Sequence, residues 1–134
     1  MKNKILSVAV PCYNSQDYMR KCIDSILVGG EEVEIIIVND GSTDDTAKIA
    51  EEYKRMYPSI VKVVHKENGG HGDAVNYGIA NATGFYFKVV DSDDWLSSEP
   101  LKKVLSVLRE FAWAAENEER EPELDVLISN YVYD

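Results

Sequence analysis

The sequence predicts an α/β fold in which a mostly parallel sheet is covered by helices on both faces. Short β-rich apolar runs alternate along the chain with segments of helical periodicity. The run Val33–Asp40 is apolar almost throughout, as expected of a strand covered on both sides. Strands and helices that alternate in this way form parallel sheets joined by right-handed crossovers. A length of 134 residues fits one domain with one core.

Composition excludes several partner classes. A formal net charge of -10 argues against a nucleic-acid backbone or an anionic membrane as the main partner, because both are bound through basic patches. The cysteines Cys12 and Cys22 lack the spacing of redox or zinc sites, so we expect buried reduced thiols and a cytoplasmic location. No apolar run is long enough to span a bilayer.

The first strand is predicted over residues 5–10 and ends at Pro11. An amphipathic helix follows, capped by Asn14 or Ser15 and ended by Gly29. Its apolar side chains recur at spacings of three and four: Tyr18, Met19, Cys22, Ile23, Ile26 and Leu27.

The second helix is predicted to start at Ser42 or Thr43, after the strand Val33–Asp40. Acidic side chains in its first turn and basic ones in its last complement the helix dipole. These are Asp44 and Asp45, then Lys54 and Arg55.

The second half of the chain continues the alternation. A strand over residues 61–64 leads through a glycine-rich turn into a short helix over 73–82, and residues 85–90 form the fourth strand. The next helix is capped by Ser97 or Ser98 and has Pro100 in its first turn. One face carries Leu101, Val104, Leu105, Leu108, Phe111 and Ala112. Residues 116–123 form a charged loop, and 124–132 a fifth strand.

Every predicted strand is followed by polar residues. The ends read "PCYN", "NDGSTDD", "HKENGGHG" and "DSDDW". Parallel sheets bind ligands beyond the carboxyl ends of their strands. The sequence therefore predicts a ligand site at this edge of the sheet.

Familiar nucleotide sites do not fit. The sequence has no GxxxxGK[ST] motif, and GxGxxG does not follow the first strand. A bound phosphate would need a metal, and acids at strand ends are suited to Mg²⁺ or Mn²⁺. An EF-hand loop from Asp40 is disfavoured because Asp45 stands where that loop needs glycine. Nucleotidyltransferases usually have a glycine-rich loop and a basic residue after the first strand, which this chain lacks.

Four stretches resemble, in order and spacing, the successive motifs of family 2 nucleotide-sugar glycosyltransferases with the GT-A fold. They are "VAVPCYN", "EIIIVNDGSTDDT", "NGGHGDAVNYGI" and "ATGFYFKVVDSDDWL", and the resemblance covers nearly the whole chain. It implies a Rossmann-like nucleotide-binding half. Residues 1–134 would be a single nucleotide-sugar-binding domain, truncated at its C-terminal end.

The resemblance also implies an activity. The protein would transfer a sugar from a nucleoside diphosphate sugar, a UDP-sugar above all, to a glycan or lipid-linked acceptor, with a metal and with inversion. Cell-wall or polysaccharide biosynthesis is the expected setting, at the inner face of the membrane in the full-length protein. The general base is expected beyond Asp134, so the fragment alone would be inactive, and an open strand edge would favour a homodimer. The alternative is a nucleotide-sugar-binding module or pseudoenzyme without transfer activity.

The resemblance assigns site residues by position. The donor nucleotide would contact Pro11, Tyr13, Asn14, Asp40, Gly41, Asn68, Gly70, Asn76, Asp91 and Ser92. Asp93, with Asp91 as a second ligand, would hold Mn²⁺ or Mg²⁺. The Asp40 carboxylate can accept a hydrogen bond from the imide N–H of uracil.

One departure limits the likeness. Val75 stands where many relatives have an arginine, so the resemblance implies no cationic contact to the nucleotide from this position. The resemblance assigns no role to His71, Asp94 or Trp95. Solvation is the favoured interpretation for the histidine, and packing under the next helix for the tryptophan.

Overall fold

The structure, a computed structural model, describes residues 4–117 and 125–126. Strands and helices alternate along the chain as the sequence predicts. The strands are β1 (Leu6–Cys12), β2 (Val33–Asp40), β3 (Val61–Lys66), β4 (Tyr86–Val89) and β5 (Asp125–Val126). The helices are α1 (Met19–Leu27), α2 (Thr46–Met56), α3 (His71–Asn81) and α4 (Ser98–Asn117), with a 3₁₀ turn at Gly30–Glu32.

The strands form one parallel sheet with the order β3-β2-β1-β4-β5. The chain first builds the sheet outward from β1 through β2 to β3. It then returns to the other side of β1 and adds β4. The strand order therefore reverses between β1 and β4, and a parallel sheet binds its ligands at the carboxyl ends of the strands at such a point.

Helices cover both faces of the sheet, as predicted. A large core joins α1, α2 and α4 to one face, where Val8 of β1 lies beside Ile35 of β2. A smaller cluster on the other face joins Ala74 of α3 to Ile36 and Val38. For α3 the opposite face follows from right-handed crossovers, because the connection from β3 to β4 runs back across the sheet, opposite in direction to the connections that contain α1 and α2.

A buried carboxylate secures the connection between α3 and β4. Glu34 of β2 is 3% exposed and accepts hydrogen bonds from Ser7 Oγ and from Thr83 N and Oγ1, each at 2.8 Å. Lys62 Nζ lies 2.7 Å from its Oε2. Burial would raise the pKa of Glu34, but the contacts from Lys62 and Thr83 outweigh burial and lower it. The connection that follows α3 is thus anchored to the sheet.

Two helices start later than the sequence predicts. The N-cap of α1 is Tyr18, without a side-chain capping bond, since Asn14 and Ser15 bind other loops instead. Helix α2 starts at Thr46, whose backbone N and Oγ1 both donate to Asp44 Oδ1. The acidic pair that was expected in the first turn of α2 therefore precedes the helix.

Other boundaries differ by a few residues. Strand β3 is longer than predicted, β4 is shorter, and α3 begins two residues earlier, at His71. On α4, Phe111 is 60% exposed and Val104 is half-buried against the core, whereas the other residues of the predicted apolar face are buried. Only Asp125–Val126 of the predicted fifth strand is described, paired with β4, and the remainder of 124–132 lies outside the described residues. Within the described residues, no helix combines the length and the apolar character needed to cross a membrane.

The close approach of α3 to β1 gives a test of this packing. A Cβ added at Gly78 would lie 2.5 Å from the Cβ of Ala9, whereas one at Gly72 would meet nothing within 4 Å. We expect Gly78→Ala to lower the free energy of unfolding by about 1–3 kcal/mol through overpacking. Gly72→Ala is the matched control and should raise it by about 0.5–1 kcal/mol. Urea denaturation measures both, and equal effects would contradict this account of the interface.

Candidate functional site

A cleft of about 300 Å³ opens at the carboxyl ends of β1, β2 and β4, where the strand order reverses. Most of the predicted site residues line it: Pro11, Tyr13, Asn14, Asp40, Asp91, Ser92 and Asp93. Residues that were not assigned to the site complete the lining: Cys12, Ser15, Tyr18, His71 and Ala74.

Asp40, the last residue of β2, is a buried carboxylate that binds the turn before α3. It is 4% exposed and accepts hydrogen bonds from the backbone N of Gly69 at 2.9 Å and of Gly70 at 3.0 Å. Lys66 Nζ donates to the same carboxylate and also lies 2.7 Å from Asp73 Oδ2. Burial alone would raise the pKa of Asp40, but these donors outweigh it and the pKa falls below its usual value. The group is therefore an anion that is already held in place at the edge of the cleft.

Four predicted residues lie outside the lining of this cleft: Gly41, Asn68, Gly70 and Asn76. Gly41 has a φ of 70°, and a Cβ there would lie 2.6 Å from the backbone N of Asn68. Asn68 Nδ2 donates to the backbone O of Asp40 at 3.1 Å. These contacts fix the position of Asp40, while Asn76 is exposed on α3. Direct donor contact by the four stays a prediction.

Asn14 joins the loop after β1 to the loop after β2. It adopts a left-handed φ of 49°, which asparagine tolerates better than most residues. Its Oδ1 accepts from the backbone N of Thr43 at 2.8 Å, and its own N donates to Ser42 Oγ at 3.0 Å. The two loops therefore form one wall of the cleft.

The loop after β4 carries the acidic residues and is held through its backbone and a serine. Ser15 Oγ lies 2.7 Å from Ser92 Oγ. The backbone O of Asp91 accepts from Asp94 N at 2.9 Å and from Cys22 Sγ at 3.5 Å. These contacts connect the acidic loop to α1 and to the loop after β1.

The carboxylates of Asp91, Asp93 and Asp94 form an exposed cluster, with one oxygen of each within 4.8 Å of the others. Oxygens on opposite sides of a Mg²⁺ ion lie roughly 4.2 Å apart, since each bond is roughly 2.1 Å long. The upper limit of 4.8 Å between the three oxygens is therefore close to the size of a Mg²⁺ coordination sphere. Burial, and after it repulsion from the carboxylates of Asp93 and Asp91, raises the pKa of Asp94. Hard oxygen donors and concentrated negative charge both fit Mg²⁺ or Mn²⁺.

Few basic groups are available to a bound anion. Among the described lining residues, the one basic side chain is His71, whose Nε2 lies 2.8 Å from Asp91 Oδ1. Lys66 already pairs with two carboxylates. Lys88 is 4% exposed within the sheet, where burial lowers its pKa. Within the described residues, this cleft therefore offers little positive charge to a bound anion.

Both cysteines are free and buried, as predicted. Burial raises the pKa of Cys12 to about 12 and raises that of Cys22 further. Trp95 is half-buried, with Lys21 Nζ 3.5 Å from its ring centroid. This contact is with α1, so the expected packing of Trp95 under the next helix stays a prediction.

Comparison with known proteins decides the family. The family described as "Glycosyl transferase family 2" matches residues 7–112. The chain belongs to this family. The resemblance stated from the four motifs is therefore confirmed.

Members of the family in several bacteria are similar to this chain. GlyA of Streptococcus pneumoniae, a glycosyltransferase, is 35% identical over 127 residues, which cover 94% of this chain and 16% of GlyA. GgaB of Bacillus subtilis, a minor teichoic acid biosynthesis protein, is 37% identical over 111 residues, or 81% of this chain and 12% of GgaB. The chain spans 12–40% of the length of the curated relatives it matches.

A solved structure confirms the GT-A fold. TarS of S. aureus, crystallised in complex with UDP, superimposes with a TM-score of 0.69 at 34% identity. The match covers 79% of this chain and 32% of the TarS chain. A further structure of TarS contains UDP-GlcNAc.

The lowered pKa of Asp40 predicts a pH-dependent contribution to stability. A carboxyl group whose pKa is lower in the folded state stabilises the fold above its unfolded pKa of about 3.9, and the contribution is lost as pH falls through the folded value. We expect Asp40→Asn to cost about 1–3 kcal/mol at pH 7 and clearly less at pH 3. Urea unfolding at both pH values measures this.

The control for that experiment is Asp17→Asn, which changes an exposed carboxylate in the loop before α1. It should change stability little at either pH. If Asp40→Asn had the same cost at pH 3 as at pH 7, the charge of Asp40 would not be what stabilises the turn.

Proposed function

We propose that this chain is the donor-binding part of a glycosyltransferase that transfers a sugar from a UDP-sugar to a glycan or lipid-linked acceptor. The observation that carries the proposal is the acidic cluster Asp91, Asp93 and Asp94, which stands beside buried Asp40 where the strand order reverses. The complexes of TarS with UDP and UDP-GlcNAc support a uridine nucleotide. The description of GgaB supports a cell-wall polymer as acceptor. The reaction would take place in the cytoplasm, at the inner face of the membrane.

The nucleoside would lie between the loops after β1 and β2. Asp40 Oδ1 accepts from Lys66 and Gly69, and Oδ2 accepts from Gly70. Because each carboxylate oxygen has two acceptor positions, Oδ2 retains one for the uracil imide N–H. The exposed rings of Tyr13 and Tyr18 offer apolar surface to the base and ribose. The donor's base would thus meet groups that are already fixed.

Asp93 is the leading metal ligand, because the family resemblance assigns the ion to it and, in the described part of the chain, no hydrogen-bond donor occupies its carboxylate, whereas Asp91 accepts from His71. When bound, Mn²⁺ or Mg²⁺ would neutralise the charge that develops on the departing diphosphate. Asp91 and Asp93 would hold the ion beside the cleft, and Ser92 would keep their loop in place through Ser15.

Inversion requires direct attack by the acceptor hydroxyl on the anomeric carbon. The residues of the described cleft serve the donor, so the general base that deprotonates the acceptor is proposed to lie beyond Asp134. A full-length protein that binds UDP-sugar and metal but never releases UDP in the presence of acceptors would instead be a binding module or pseudoenzyme.

The metal site predicts a defined loss of binding. In the full-length protein, Asp93→Asn should weaken UDP binding in the presence of Mn²⁺ to the level measured without metal, because the cation would lose its main ligand. Isothermal titration calorimetry with and without Mn²⁺ measures this. Glu110→Gln removes an exposed carboxylate on α4 and is the matched control. Unchanged UDP affinity in Asp93→Asn would refute the metal assignment.

The proposed role of Asp40 predicts base selectivity. Uracil presents an N–H to the carboxylate, whereas cytosine presents an acceptor nitrogen at the same position, so a carboxylate should favour UDP over CDP. A thermal-shift series with UDP, CDP and GDP in the presence of Mn²⁺ should show the largest stabilisation with UDP. Stabilisation by another nucleotide and not by UDP would disprove the uracil contact.

A further inference from the structure

His71 is the one side chain of the described residues that donates a hydrogen bond to a carboxylate of the acidic cluster. Its Nε2 lies 2.8 Å from Asp91 Oδ1. Both side chains remain largely exposed, at 63% and 52%, and both line the cleft. The pair spans the cleft between the start of α3 and the loop after β4.

The other contacts of the acidic loop do not orient its carboxylates. Cys22 and the N–H of Asp94 bind the backbone O of Asp91, and Ser15 binds the hydroxyl of Ser92. These contacts fix where the loop runs. The direction of the Asp91 carboxylate depends on His71.

His71 is itself held by the sheet. It follows directly after Gly70, whose N–H binds Asp40 and whose φ is 96°. The helix that it begins packs against β1 at Gly78, where little space separates the two backbones. A histidine on such a support can fix the direction of its partner.

We propose that His71 is a positioning residue for the metal site. By occupying Oδ1 of Asp91, it would leave Oδ2 available for a cation that Asp93 also binds. Metal-ligating carboxylates are commonly oriented by such a second hydrogen bond, and its loss typically weakens metal binding 10–100-fold. The inference rests on the proposed function, because it assumes that the acidic cluster binds a divalent ion.

The test is the affinity of the full-length protein for Mn²⁺ alone, measured by electron paramagnetic resonance at constant pH without nucleotide. We expect His71→Ala to raise the Kd for Mn²⁺ about tenfold, at the lower end of that range because the pair is exposed. His71→Gln places an N–H donor near the position of Nε2 and should recover most of the affinity. If His71 only supported the fold, His71→Ala and His71→Gln would change the Kd for Mn²⁺ by the same factor.

The chain contains a matched control, because His65 is its other histidine. His65 lies on β3, outside the cleft lining, and bonds to Glu51 of α2 and Asn39 of β2. His65→Ala should therefore leave the Kd for Mn²⁺ unchanged. Equal or tighter Mn²⁺ binding by His71→Ala, while Asp93→Asn abolishes it, would overturn the positioning role and leave the proposed function standing. Absence of Mn²⁺ and Mg²⁺ binding in the wild-type protein would overturn both.

Discussion

The site depends on the hydrogen bonds and the ion pair that the ionised carboxylate of Asp40 makes. A buried charge is stable only when it is paired and hydrogen-bonded, and here one cation and two backbone amides satisfy it. The same bonds bring the turn after β3 onto the end of β2, so that α3 starts over the cleft. Asp40 therefore connects the end of β2 to His71, and through His71 to the acidic loop.

The charge distribution restricts how this protein handles an anionic donor. With a net charge of -10 and its lysine at the cleft already paired, the protein would repel a diphosphate at long range. Val75 stands where the family resemblance leads us to expect an arginine in many relatives, so this chain lacks a cationic side chain at that position. The proposed divalent ion would then supply most of the attraction for the phosphates.

The sequence was sufficient for the fold and for much of the cleft, because both follow from local patterns. Alternating strand and helix runs determine a parallel sheet, and such a sheet gathers its strand ends at one edge. Contacts between residues far apart in sequence were not predictable in the same way. Asn14 and Ser15 read as helix caps, but bonds to Thr43 and Ser92 use their polar atoms instead.

Sequence analysis missed other residues of the cleft for the same reason. His71 reads as a solvated loop residue until α3 brings it to Asp91, 20 positions along the chain. Tyr18 counts as one apolar position of α1 by its spacing, although it stands just before the helix and is 56% exposed beside the cleft. The helical spacing of Phe111 places it on the apolar face of α4, but the side chain is 60% exposed. Spacing along one helix does not reveal whether another element covers that part of the face.

The bonds of Asn14 to the loop after β2 have a consequence for the thermodynamics of recognition. Loops that must become ordered around a ligand subtract their lost entropy from its affinity. Here the loops after β1 and β2 are already fastened to each other, and the acidic loop is fastened to the first of them. Most of the entropy lost on association would therefore come from the sugar nucleotide itself. A rigid analogue of the sugar nucleotide should then bind more tightly than a flexible analogue of equal size.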